Sequence, residues 1–96
     1  MKIRILPSAR FDLIDGYWFY EEREPGLGGY FIRSIFADIE SLHIYAGIHA
    51  KHLRKNRMVA SKFPISIFYL VEQSEIRIYA VLDDRRDPNW FRERLN

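Results

Sequence analysis

The amino-acid sequence predicts an α+β domain: an N-terminal strand, an antiparallel helix hairpin, a three-stranded antiparallel sheet segment and a short C-terminal helix. Three observations carry this reading. Two stretches repeat apolar residues at helical spacing and are separated by Pro25, Gly26, Gly28 and Gly29. Two later stretches alternate apolar residues around a turn at Gln73 and Ser74. The chain of 96 residues is 48% hydrophobic and 16% aromatic, enough to pack one core and too short for two, so a single domain over residues 1–96 is expected.

Lys2 to Leu6 (KIRIL) alternates and is interrupted by Pro7, with Ser8 expected as the N-cap of the helix that follows. Ala9, Leu13, Tyr17 and Tyr20 then recur at steps of four, four and three, sharing one helical face that Ile14 and Trp18 widen. Leu27, Phe31, Ile35, Ile39 and Leu42 repeat the stripe beyond the Pro/Gly link, which makes the two helices an antiparallel pair. After Gly47 the chain turns basic, and Lys51 to Met58 is a candidate strand. FPISIFYLVE puts Ile65, Ile67, Tyr69 and Val71 on one face, and EIRIYAVL puts Ile76, Ile78, Ala80 and Leu82 on one face of its partner. The reverse face carries Phe68, Leu70, Tyr79 and Val81, which is apolar enough to require a cover, either a partner or the terminal helix. Asp87 before Pro88 reads as N-cap and first residue of that last helix. Trp90 and Leu95 would pack it on the sheet, and Arg92 and Arg94 would face solvent or the carboxylates of Asp83 and Asp84.

Composition narrows the chemistry. The absence of Cys excludes a disulfide framework and thiolate metal sites. The opening MKIRILPSARFDL has no long apolar run after its basic residues, so neither a signal peptide nor a membrane span is expected, and the cytoplasm is the expected location. Net charge is only +2, but His49 to Lys62 is studded with Lys and Arg and holds no acid, a patch that favours acidic partners and equally suits a solvated edge strand. His43, His49 and His52 lack an acidic ligand set, so no metal is expected and solvated histidines are the plainer reading. The serines lie in no nucleophile elbow, and the glycines lack the preceding strand of a phosphate loop. What remains is RNA cleavage by basic side chains alone, or no chemistry and no cofactor.

The element order and three segments, ARFDLIDGYWFYEE at Ala9 to Glu22, FPISIFYLVEQSEIRIYAVL at Phe63 to Leu82 and RRDPNWFRERL at Arg85 to Leu95, resemble the RelE/ParE superfamily of toxins from bacterial type II toxin–antitoxin modules. The likeness is to the ParE-like branch in particular. It implies a toxin that binds and inhibits DNA gyrase without chemistry, with Arg57, Arg85, Arg86, Trp90 and Arg92 as target contacts. It also implies a cognate antitoxin, placed on Tyr17, Trp18, Phe68, Leu70 and Tyr79. RelE-like members instead cut messenger RNA on the ribosome with basic side chains. In this sequence Ser66 and Asp84 stand where such arginines would act, leaving Arg57, with Arg85 by a small shift of register, as the basic residues in place for a metal-independent endoribonuclease. A third outcome is a chain that has lost toxicity and still binds antitoxin, and the apolar sheet face would serve a homodimer equally well.

Overall fold

A computed structural model describes all 96 residues. In chain order the elements are β1 (Lys2–Ile5), α1 (Pro7–Glu21), α2 (Leu27–Glu40), a short α3 (Leu42–Tyr45), β2 (Lys51–His52), β3 (Lys55–Val59), β4 (Ile65–Glu72), β5 (Glu75–Asp83) and α4 (Pro88–Leu95). They form the expected α+β fold, with a sheet larger than the expected three-stranded segment. Its order is β1-β5-β4-β3-β2, antiparallel except that β1 lies parallel to β5. The Lys51 to Met58 segment divides into β2 and β3 around Leu53 and Arg54, both at positive φ (53° and 71°), as a tight hairpin turn of this hand demands.

The helix hairpin is closed by a carboxylate. Glu21 at the end of α1 accepts hydrogen bonds from the backbone N–H groups of Gly26 (3.1 Å) and Gly28 (3.0 Å), which supplies acceptors to the otherwise unpaired start of α2. Gly26 takes φ 92° there, a conformation glycine adopts without steric cost. The two helices then lie close enough that a Cβ on Gly28 would sit 2.6 Å from the Tyr17 carbonyl oxygen. The second stripe is interrupted at Ser41, so Leu42 belongs to α3, yet it stays fully buried.

Two expectations change at the start of α1 and in β5. Ser8 does not cap: the helix begins two residues earlier than that cap implies, with Pro7 preset at its first position, and the Ser8 hydroxyl donates to the Tyr79 carbonyl at 2.9 Å. In β5 the register steps from Phe68 opposite Ala80 to Tyr69 opposite Ile78, leaving Tyr79 as the extra residue of a β-bulge. The bulge reverses the alternation. Ile76, Ile78 and Val81 therefore join Ala9, Leu13, Phe31, Ile35, Ile67 and Tyr69 in the main core beneath the helices. Ala80 and Leu82 face the other way, with Phe68, into a second core closed by Phe91 and Leu95 of α4.

The apolar reverse face is thus covered by the chain itself at Phe68. Phe68 is 0% exposed and packs against Phe91 at 6.1 Å between ring centroids, while Leu70 and Tyr79 beyond the end of α4 are half-buried. Asp87 caps α4 as expected, accepting from the Asn89 N–H at 2.7 Å, and Lys55 Nζ donates to the Leu95 carbonyl at the other end, 2.9 Å away. Truncating a buried phenylalanine removes its transfer free energy and leaves a cavity, about 3–5 kcal/mol together. Phe68→Ala is therefore expected to lower the unfolding free energy by about that much, against under about 2 kcal/mol for Leu70→Ala at the half-buried end of the same strand, as measured by urea denaturation.

Candidate functional site

Where β1 stops, the outer edge of β5 is left without a strand partner from Tyr79 onward. Helix α1 supplies the substitute: the Ser8 hydroxyl takes the Tyr79 carbonyl, and Asp12 accepts the Val81 N–H at 3.0 Å. Asp12 also receives the Arg94 guanidinium of α4, so one carboxylate ties the first helix, the last strand and the last helix together. Burial pushes the Asp12 carboxyl above its usual range, against the opposing pull of Arg94 and the Val81 N–H. Arg94 was expected to face solvent or Asp83 and Asp84, and it goes instead to this residue 82 positions earlier.

The expected target residues divide by partner. Arg57, on β3, donates from Nε to the Ser66 hydroxyl (2.7 Å) and from Nη2 to Asp84 Oδ1 (2.9 Å), and Ser66 in turn donates to that same oxygen at 2.5 Å. Ser66 and Asp84 are thus the anchors that hold Arg57, and the guanidinium is neutralised within the fold. Arg85 is held as firmly: both Asp83 oxygens accept from it, at 2.9 Å from Nε and 2.5 Å from Nη2, which lowers the Asp83 pKa and raises that of Arg85. Arg86 lies over the Trp90 ring, 3.9 Å from its centroid, and pairs with no carboxylate. Arg92 reaches only the Asn89 side chain, at 2.8 Å.

Three of the five, Arg57, Arg86 and Arg92, line one cleft of about 250 Å³ together with His52, Leu53 and Asp84. Arg85 turns away toward Asp83, and Trp90 lines a neighbouring cleft. The arginine cleft lies on the α4 side of the sheet. It offers two uncommitted guanidinium groups and no general base held against a nucleophile, an arrangement suited to holding an anion.

The expected antitoxin contacts do not form one surface. Tyr17 and Trp18 line an apolar groove of about 420 Å³ on the helix layer, with Ile5, Leu13, Ile14, Ile32 and Phe36, and Arg10 as the one polar residue. Phe68, Leu70 and Tyr79 lie on the opposite face of the sheet. Phe68 is sealed beneath α4, which corrects its expectation as an exposed contact, and Tyr79 donates its hydroxyl to Glu72 with Lys55 Nζ 4.9 Å above its ring. Ile14 and Phe36, not expected as contacts from the sequence, are 53% and 39% exposed in this groove, and the place of Phe36 outside the second helix's core stripe was the available signal. His49 is not solvated as expected: it meets the buried Tyr69 hydroxyl at 2.5 Å, and burial lowers its pKa.

No family model matches the sequence, and no curated protein matches it. Among solved structures, a chain described as the chromosomal ParDE TA system from P. aeruginosa superposes with a TM-score of 0.75, covering 84% of this chain and 92% of that one at 20% identity. The two chains share one fold. The fold class inferred from the sequence is shared with that chain, and at this identity the likeness speaks to architecture, while the site rests on the side chains above. No helix is long and apolar enough to cross a membrane.

The neutralised state of Arg57 is directly testable. Asp84→Asn removes the internal anion, and the freed guanidinium is expected to add one phosphate contact, steepening the salt dependence of single-stranded RNA binding by about 0.7 in the slope of log K against log salt. Adding Arg57→Ala is expected to restore the original slope. An Arg57–Asp84 double-mutant cycle in stability should return a coupling of about 1 kcal/mol for this partly exposed pair.

Proposed function

We propose that this chain is the toxin of a type II toxin–antitoxin module, ParE-like in action: it binds DNA gyrase without catalysing a reaction, and a cognate antitoxin neutralises it. The fold likeness to a ParDE chain supports the toxin reading. The observation that favours gyrase binding over RNA cleavage is the fate of Arg57, the basic residue best placed for a ribonuclease. It is spent on Asp84 and Ser66, and a carboxylate in that position repels a phosphate by about one to a few kcal/mol, depending on exposure.

On this reading the target contacts are Arg86, Arg92 and Trp90, the residues of the last turn and helix not locked in ion pairs, with Arg57 and Arg85 as their internally paired neighbours. Arg and Trp are the side chains that most often dominate interface energetics. The antitoxin segment lies in the groove around Ile14, Tyr17 and Trp18, an apolar concavity without a cover. Arg10 lines that groove, and an acidic residue of the partner would complement it.

Tightly induced expression, with growth, plasmid supercoiling and transcript integrity recorded in the same cells, tests the function. Growth arrest with altered supercoiling and intact transcripts is expected, weakened by Arg86→Ala and Arg92→Ala. Codon-positioned transcript cuts would overturn the gyrase reading, and unimpaired growth would leave a module that only binds antitoxin. For the groove, Trp18→Glu sits at a residue 57% exposed, so the variant should keep its unfolding midpoint and lose affinity for the antitoxin by about tenfold or more in calorimetric titration.

A further inference from the structure

A second cleft, of about 210 Å³, opens between α1 and the turn that leads into α4. Helix α1 presents Asp12, Asp15, Gly16, Phe19 and Tyr20 to it, spaced as one helical face, and Asp83, Arg86 and Trp90 close the far side. The volume is below the roughly 300–1,000 Å³ of sites for drug-sized ligands and suits a single side-chain-sized group. Gly16 keeps its floor open, since a Cβ there would meet the Phe31 ring at 2.6 Å.

Three carboxylates in one small cleft are notable on a chain of net charge +2. Asp12 is committed to Arg94 and the Val81 N–H, and Asp83 to Arg85, but Asp15 makes no ion pair or side-chain hydrogen bond. Beside it Tyr20 is 8% exposed, and its hydroxyl is buried without any hydrogen-bond partner. A buried hydroxyl left unpaired by the chain calls for a further partner, which an ordered water or a bound group can supply. Burial raises the Tyr20 pKa against the opposing pull of the nearby Arg85 guanidinium, which approaches this hydroxyl without satisfying it.

The aromatic walls indicate which cation fits. Trp90 already carries the Arg86 guanidinium 3.9 Å from its ring centroid, and Phe19 carries that of Arg23 at 4.1 Å. Both walls therefore hold flat, weakly hydrated guanidinium groups within the molecule itself. We infer that this cleft is a binding site for a guanidinium group the size of one arginine side chain, which lies against the aromatic wall and donates to the Asp15 carboxylate and the Tyr20 oxygen. The site is distinct from the apolar groove, shares Arg86 with the arginine cleft, and does not depend on the toxin reading.

Titration of the full chain with N-acetyl-arginine amide, followed by amide chemical shifts, tests it. Saturable shifts at Asp15, Phe19, Tyr20 and Trp90 are expected, with the neutral isostere N-acetyl-citrulline amide binding about tenfold more weakly or worse. Asp15→Asn at an exposed helix position and Tyr20→Phe should each weaken binding by about fivefold, a loss in keeping with removal of one hydrogen bond to a charged group. Tyr20→Phe also discards the orphan hydroxyl and should keep or raise the unfolding midpoint, which separates lost binding from lost folding. Agmatine binding as tightly as the amide supports the site and assigns it to free guanidinium compounds; weaker agmatine binding supports it as a pocket for a polypeptide arginine. Equal binding of the citrulline amide, shifts confined to other surfaces, or wild-type affinity in both variants would overturn the assignment.

Discussion

The bulge at Tyr79 is the constraint on which the molecule's two-sided design depends. A regular strand shows alternate residues to one face, so Ile76, Ile78, Ala80 and Leu82 would all lie beneath the helices. One extra residue reverses that order and turns Ala80 and Leu82 to the opposite side, where Phe68 already stands. The second apolar core draws Ala80 and Leu82 from β5 because of that reversal. Each fully buried large apolar side chain in it is worth about 1.5–3 kcal/mol, enough to hold an eight-residue helix that would not persist alone in water.

The same bulge explains why acidic residues fix the basic ones. It falls where β1 ends, so β5 continues with one edge uncovered, and α1 must supply polar groups to that edge. Ser8 and Asp12 do so, and Asp12, once drawn into the interior, requires a counter-charge, which Arg94 brings from α4. On the other side Asp84 restrains Arg57, and Asp83 restrains Arg85. Three carboxylate–arginine pairs thereby decide which cations remain available: Arg86 and Arg92, adjacent to the second core.

Much of the architecture was legible because it follows from local periodicity. The two helical stripes, the Gln73–Ser74 hairpin and the Asp87–Pro88 helix start are statements about neighbours in sequence, and the structure has all of them. The failures concern pairings at long range. Nothing near Tyr79 announces a bulge, so Ala80 and Leu82 were assigned to the wrong face. Ser8 is a good cap by type, yet its carbonyl acceptor lies 71 positions away, and Pro7 could start the helix unaided. Phe68 looked like a partner contact because an alternating strand cannot reveal whether a helix from its own chain will cover it. The arginines were recognised as a cluster, but which of them would be neutralised depended on contacts 27 and 82 positions apart in sequence.

The separation of the two candidate surfaces bears on how neutralisation would work under the proposed function. The apolar groove is on the helix layer, while Arg86 and Arg92 flank a cleft on the α4 side, with the whole sheet between them. A partner segment seated only in the groove leaves that cleft open. Blocking it requires a longer segment that passes around the sheet edge, or a partner bulky enough to prevent a large target from approaching. The β1 edge offers one way round, since the groove already includes Ile5 of β1 and that strand has a free side for an added strand. A partner that adds a strand there would gain backbone hydrogen bonds without sequence restriction and reserve its side chains for the groove, where the specificity would reside.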